Sequence, residues 1–213
     1  MEKVLTISKD YLLVPVKKEA EKRLLTFWYG TEKIYEFEIS CVDTEETYPE
    51  DFCAVLPVKK WKGQKIRIEG DVCESLLSAV REKESAVRED SGYIHFVPET
   101  GWINDPNGLI YCEGKYHLYF QHNPVDVNWG NMSWGHAEST DLLHWVQKED
   151  VMFPDENGTM FSGCAILNER GLLGLPKDTP VFFYTVAGSA SEWSKGKKFV
   201  QRIAYSTDQG ETL

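Results

Sequence analysis

The 213-residue sequence contains no apolar run of 18 residues, so no part of it reads as a transmembrane helix. Its first residues, Met1-Glu2-Lys3-Val4-Leu5, lack the apolar core of a secretory signal. That leaves the compartment open, since a secreted or periplasmic parent would have lost its signal already. Basic residues are in deficit: 23 Lys and Arg stand against 34 Asp and Glu, a formal net charge of −11. Polyanions are repelled by such a chain, which argues against nucleic acid and an anionic membrane surface as partners. A neutral sugar is indifferent to the balance. Cysteine is also sparse. Cys41, Cys53, Cys73, Cys112 and Cys164 form no C-x-x-C pair and are odd in number, so neither a metal site nor a full disulfide framework is expected. Cys41 and Cys112 lie in apolar, strand-like stretches and read as small buried hydrophobes.

Apolar residues are plentiful, at 42%, and aromatics reach 13% with seven Trp, which supports a substantial core. Flat rings of this kind also stack on sugar faces. The chain is predicted to be all-β in two parts. Residues 1–88 read as a small β-sandwich-like module. Tyr35 to Cys41 and Lys65 to Glu69 alternate apolar and polar with period two, and Val4 to Val16 and Leu24 to Tyr29 add two apolar runs. Leu76, Leu77 and Val80 have helical spacing within 73–84, followed by a charged linker. The domain boundary is expected near residue 88, with 89–213 as the second part. There, Ile110-Tyr111, Tyr116 to Gln121, Ala165 to Leu167 and Val181 to Thr185 read as strands. Ser139-Thr140-Asp141 recurs 67 residues later as Ser206-Thr207-Asp208. Ser and Asp side chains close β-turns, and the interval suits a repeating four-stranded unit such as a propeller blade.

The chemistry concentrates in Trp102-Ile103-Asn104-Asp105-Pro106-Asn107-Gly108. Pro106 stiffens the backbone and pushes Asp105 toward an extended conformation. Asn107-Gly108 is a turn signal, so Asp105 is expected at a strand edge just before a tight turn. Taken alone, Asp-Pro-Asn-Gly is simply a turn. Its neighbours change that reading: Gln121-His122-Asn123-Pro124, Trp129 to His136, and Phe161-Ser162-Gly163 supply amide, hydroxyl and indole groups with no Lys or Arg. Such groups suit many neutral hydroxyls.

Together with His95-Phe96-Val97-Pro98 and Asp141 to Trp145, these blocks make residues 95–213 resemble the N-terminal part of the catalytic domain of glycoside hydrolase family 32. The family comprises invertases, inulinases and levanases. Residues 1–70 more loosely resemble the small β-module that precedes that domain in some bacterial members. The resemblance implies a five-bladed β-propeller of which this chain carries the first blades. It implies retaining hydrolysis of β-fructofuranosyl linkages in sucrose, inulin or levan, with Asp105 as nucleophile and no metal or cofactor. Asn104 and Gln121 match positions that bind fructose hydroxyls, although buried amides also serve to satisfy backbone groups. Trp129 and Phe161 match walls of the sugar subsite, with core packing as the other reading. Ser162 matches a hydroxyl contact, or else a turn hydroxyl. Trp102, Trp134, His136, Asp141 and Trp145 read as architectural, and His95 has no assigned role. Glu99, Glu113 and Glu138 read as surface or turn charges.

Two features of the family pattern are missing from these residues: an Arg-Asp-Pro motif and a Glu-Cys pair carrying the acid/base. At 67 residues per repeat, 95–213 amounts to fewer than two blades. The expectation is therefore a fragment with little or no activity of its own, whose exposed blade edges offer a route to self-association. Two other readings remain open: a non-catalytic fructan-binding protein and a fructosyltransferase.

Overall fold

The computed structural model describes residues 1–43, 47–84 and 95–213. In chain order the strands are β1 (Glu2–Thr6), β2 (Tyr11–Val16), β3 (Lys22–Tyr29), β4 (Glu32–Ser40), β5 (Phe52–Pro57) and β6 (Lys65–Gly70). The short helix α1 (Glu74–Ala79) follows, then β7 (Arg81–Lys83), β8 (Trp102–Cys112), β9 (Lys115–Asn123) and β10 (Ser133–Ser139). The last strands are β11 (Val146–Gln147), β12 (Thr159–Leu167), β13 (Pro180–Ala187) and β14 (Val200–Tyr205). Two compact units result. Among the described residues, the first holds 1–43, 47–84, 100–102 and 123–131; the second holds 95–99, 103–122 and 132–213.

The first unit has a four-stranded sheet of order β1-β6-β3-β4 and a three-stranded sheet of order β5-β2-β7. Period-two alternation sets the buried face. Tyr35, Phe37 and Ile39 of β4 point inward with Leu25 and Phe27 of β3, against Leu12, Val14, Ala54 and Leu56 of the other sheet. Tyr35 Oη donates to the Pro57 carbonyl at 2.8 Å, so the buried phenol is satisfied across the sheets. Two sequence expectations need correcting here. The run Val4 to Val16 is two strands, not one, divided at the polar Ser8-Lys9-Asp10. The helix stops at Ala79, and Arg81-Glu82-Lys83 pairs with β2 as a strand. Glu82 accepts from the backbone N–H groups of Ser8 and Lys9 at 2.6 and 3.0 Å, which fixes the short charged strand. The expected linker falls largely outside the described residues.

The second unit consists of two antiparallel sheets, of order β11-β10-β9-β8 and β12-β13-β14. Ile110, Tyr119, Trp134, Met152, Met160, Phe182, Tyr184 and Val186 form the core that joins them. Its rings meet edge to face: Trp134 with Tyr184 at 5.8 Å and Tyr119 with Phe182 at 4.9 Å between centroids. The Ser-Thr-Asp recurrence is structural. Ser139 Oγ accepts from the N–H groups of Asp141 and Leu142, and Ser206 Oγ from those of Asp208 and Gly210. Each closes the loop that leaves the third strand of its sheet. The opposite face of the second sheet exposes Cys164, Ile166, Phe183, Ile203 and Tyr205.

Candidate active site

Strand β8 runs unbroken through Trp102–Cys112, so the turn expected at Asn107-Gly108 does not form. The reversal comes at Glu113-Gly114, where both residues take positive φ (50° and 86°), as a two-residue hairpin loop of type I′ requires. Three observations explain why the Asp-Pro-Asn-Gly signal is overridden. First, β8 lies at the edge of its sheet, where a proline is tolerated. Second, the Asn107 side chain is spent inside the fold, not on a turn: its exposure is 1%, and its amide oxygen accepts from Gln121 Nε2 and Trp134 Nε1, both at 3.0 Å. Third, Gly108 is there for close approach, since a Cβ would lie 2.9 Å from Ala165 Cβ of β12.

The Asn107 side chain is turned inward, while Asp105 and Pro106 are exposed and Asn104 is half-buried. Asp105 is held from β12. Ser162 Oγ donates to Asp105 Oδ2 at 2.7 Å. The local geometry of β12 makes that reach possible. Met160 pairs with Val186 and Gly163 with Tyr184, so Phe161 and Ser162 together oppose the single residue Thr185 in a β-bulge. A bulge re-aims side chains, here toward β8. Gly163 follows because only glycine fits: a Cβ would stand 2.1 Å from the Phe183 carbonyl oxygen and 2.9 Å from Tyr184 Cα.

Behind this pair runs a buried polar seam. Gln121 Nε2 donates to the Met160 carbonyl at 2.8 Å, and Trp134 Nε1 to the Phe161 carbonyl at 3.1 Å. Asn107, Gln121 and Trp134 thus tie the first sheet to the bulge of the second, directly beneath Asp105 and Ser162. Gln121 is 2% exposed, and its observed partners are protein groups. Asn107 and Trp134 were not among the expected site residues. Their signal, an Asn two positions beyond Asp105 in an extended strand, is hidden by the turn preference of Asn-Gly.

The remaining expected residues fall as follows. Phe161 and Ser162 are brought to Asp105's strand by the bulge. Trp129 belongs to the first unit, on the segment 123–131, and is 54% exposed. His136 is fully buried, and Glu138 is not the surface charge expected of it: it is 9% exposed and paired with Lys115 at 2.9 Å and Lys148 at 3.6 Å. These ammonium groups hold its carboxyl below the ordinary range against the opposing effect of burial. Among the described residues, His117, His136 and Glu138 alone have metal-ligand spacing, with donor atoms within 4.8 Å. Two ammonium groups on the same carboxylate oppose a dication there, and Asp105 is not part of the group.

A model of the glycosyl hydrolases family 32 N-terminal domain matches residues 95–213. Levanase from Bacillus subtilis is 43% identical over 121 residues, covering 55% of this chain and 17% of that protein. Extracellular exo-inulinase from Aspergillus awamori is 41% identical over 135 residues, covering 57% and 25%. The β-fructofuranosidase of Schwanniomyces occidentalis, solved with fructosyl-erythritol, superposes with a TM-score of 0.50 at 36% identity, over 59% of this chain and 25% of that one. The chain thus spans a quarter or less of the length of these relatives. Such neighbours are β-propeller enzymes, and the sheets β8–β11 and β12–β14 correspond to the N-terminal part of that fold. With more than half of its residues matched, the chain belongs to glycoside hydrolase family 32.

Proposed function

We propose that this chain supplies the nucleophile half of an enzyme that cleaves β-fructofuranosyl linkages with retention. Support comes foremost from the short hydrogen bond between Ser162 and an exposed Asp105, both within the residues that the family model matches. The hydroxyl orients one carboxylate oxygen and leaves the other for attack. Asp105 displaces the leaving oxygen at the anomeric carbon of a fructosyl unit, forming a fructosyl ester. Water then breaks that ester, with the leaving oxygen and the water served by a carboxyl group acting first as acid and then as base. Asn104, Gln121 and Phe161 are assigned to the sugar ring. Gln121 serves it indirectly, by setting the bulge from within the seam.

The acid/base glutamate and the Arg-Asp-Pro aspartate are assigned to parts of the longer polypeptide that the relatives' lengths suggest. Without general acid catalysis alone, the rate falls by about 10²–10⁴. An activated substrate bypasses that loss, because a good leaving group needs no proton. Incubating this chain with p-nitrophenyl β-fructofuranoside should release p-nitrophenol and place one fructosyl group on the Asp105 peptide, while sucrose is cleaved little or not at all. Equal release by wild type and Asp105→Asn would defeat the assignment, and near-normal sucrose hydrolysis would defeat the claim that the acid lies elsewhere.

A further inference from the structure

The loop between β13 and β14 lies at the same end of its sheet as the bulge. Met160 pairs with Val186, and Val186 with Val200, so Phe161 follows and Phe199 precedes one shared row. Their rings meet edge to face, with centroids 5.8 Å apart and planes at 84°. Phe161 is half-buried, whereas Phe199 is 61% exposed. Phe161 is also the direct neighbour of Ser162, which holds Asp105.

The loop is built to hold this ring in place. Ser189 is its hub: its N–H donates to the Ser194 carbonyl at 3.0 Å, its Oγ donates to the Lys197 carbonyl at 3.0 Å, and it accepts from the Gly196 N–H at 2.9 Å. Lys197 N–H closes a further turn on Ser194 at 3.0 Å. At its far end Gln201 Nε2 donates to Thr185 Oγ1 at 2.8 Å, and Thr185 is the residue that faces the bulge. The exposed ring is thus presented by a preformed loop anchored to the same bulge, so little ordering entropy is lost when a ligand covers it.

We infer that Phe199, set edge to face against the Phe161 assigned to the attacked fructosyl unit, forms an aromatic ledge for the adjoining sugar unit and selects chains over the single sugar. The inference rests on the fructosyl reading given above. One C–H face of the second furanose lies on the Phe199 ring, and Phe161 sets that ring's tilt.

Saturation-transfer NMR on the 213-residue chain tests it, using fructose and the trisaccharide 1-kestose at millimolar concentration. Phe199→Ala should weaken trisaccharide binding about three- to tenfold more than fructose binding, the size of a single aromatic contact, and Phe199→Tyr should restore it. A dispersed amide spectrum confirms that the variant is folded. Equal effects on both sugars, or none, would overturn the ledge while leaving the fructosyl reading intact. Failure of the unaltered chain to bind either sugar would overturn the fructosyl reading, and the ledge with it.

Discussion

Acid should destabilise the second unit through His136, a residue with no part in the proposed chemistry. His136 is fully buried on β10, with its ring stacked 4.5 Å from that of Tyr119 at 8°. Its Nε2 lies 3.0 Å from His117 Nδ1, and its own Nδ1 has no partner among the described residues. Burial, and then the neighbouring His117, lower its pKa to about 3, while Glu138 pulls the other way and Lys115 and Lys148 add to the lowering. Folded His136 therefore stays neutral where the unfolded chain takes up a proton. Its stabilising contribution is complete above about pH 6.5 and is lost as the pH falls, at about 1.4 kcal/mol per unit. By pH 5 the loss is about 2 kcal/mol. His117 is lowered too and adds in the same direction. Glu138, also lowered, loses its contribution only further down, as the pH falls below about 4.5. Denaturant unfolding of the chain at pH 7.5 and pH 5, with His136→Gln as the non-titrating comparison, measures the difference. The variant keeps a donor for His117 and should show a pH dependence about 2 kcal/mol smaller than that of wild type. An imidazole of His136 that titrates near pH 6.5 in the folded protein, or equal pH dependence of the two chains, would refute the reasoning.

Two further outcomes follow from the seam beneath Asp105. Gln121→Ala leaves the buried Met160 carbonyl unpaired and should cost about 2–3 kcal/mol, measured by urea unfolding of the chain. A loss below about 1 kcal/mol would show that Gln121 does not brace the bulge. Gly163→Ala forces a methyl onto the backbone of Phe183 and Tyr184 and should cost about 3 kcal/mol, whereas Gly30→Ala, with nothing within 4 Å, provides a control dominated by backbone strain alone.

Much of this architecture was legible in the sequence because it depends on local periodicity. The alternating strand Tyr35 to Cys41 emerged as expected, since one of its faces is buried and any slip would expose Phe37 and Ile39. The repeated Ser-Thr-Asp was also readable, because its hydrogen bonds lie within four residues of sequence. Contacts across the chain were not readable. Asn107-Gly108 carries the local marks of a turn, yet Asn107 is claimed by Gln121 and Trp134, and Gly108 by Ala165. Glu138 looked like a surface charge because nothing nearby in sequence reveals that Lys115 of β9 and Lys148, just past β11, border it. The bulge at Phe161-Ser162 was likewise invisible, since it depends on how β13 is counted against β12.

Pro106 acts on more than the backbone of its neighbour. An outer strand with a row of free N–H groups is a template on which a passing extended segment can dock, and Asp105 lies on such an outer strand. A residue with nothing to donate stands immediately after Asp105 and is exposed. The ring thereby acts as a gatekeeper, discouraging stray peptide from zipping up over Asp105.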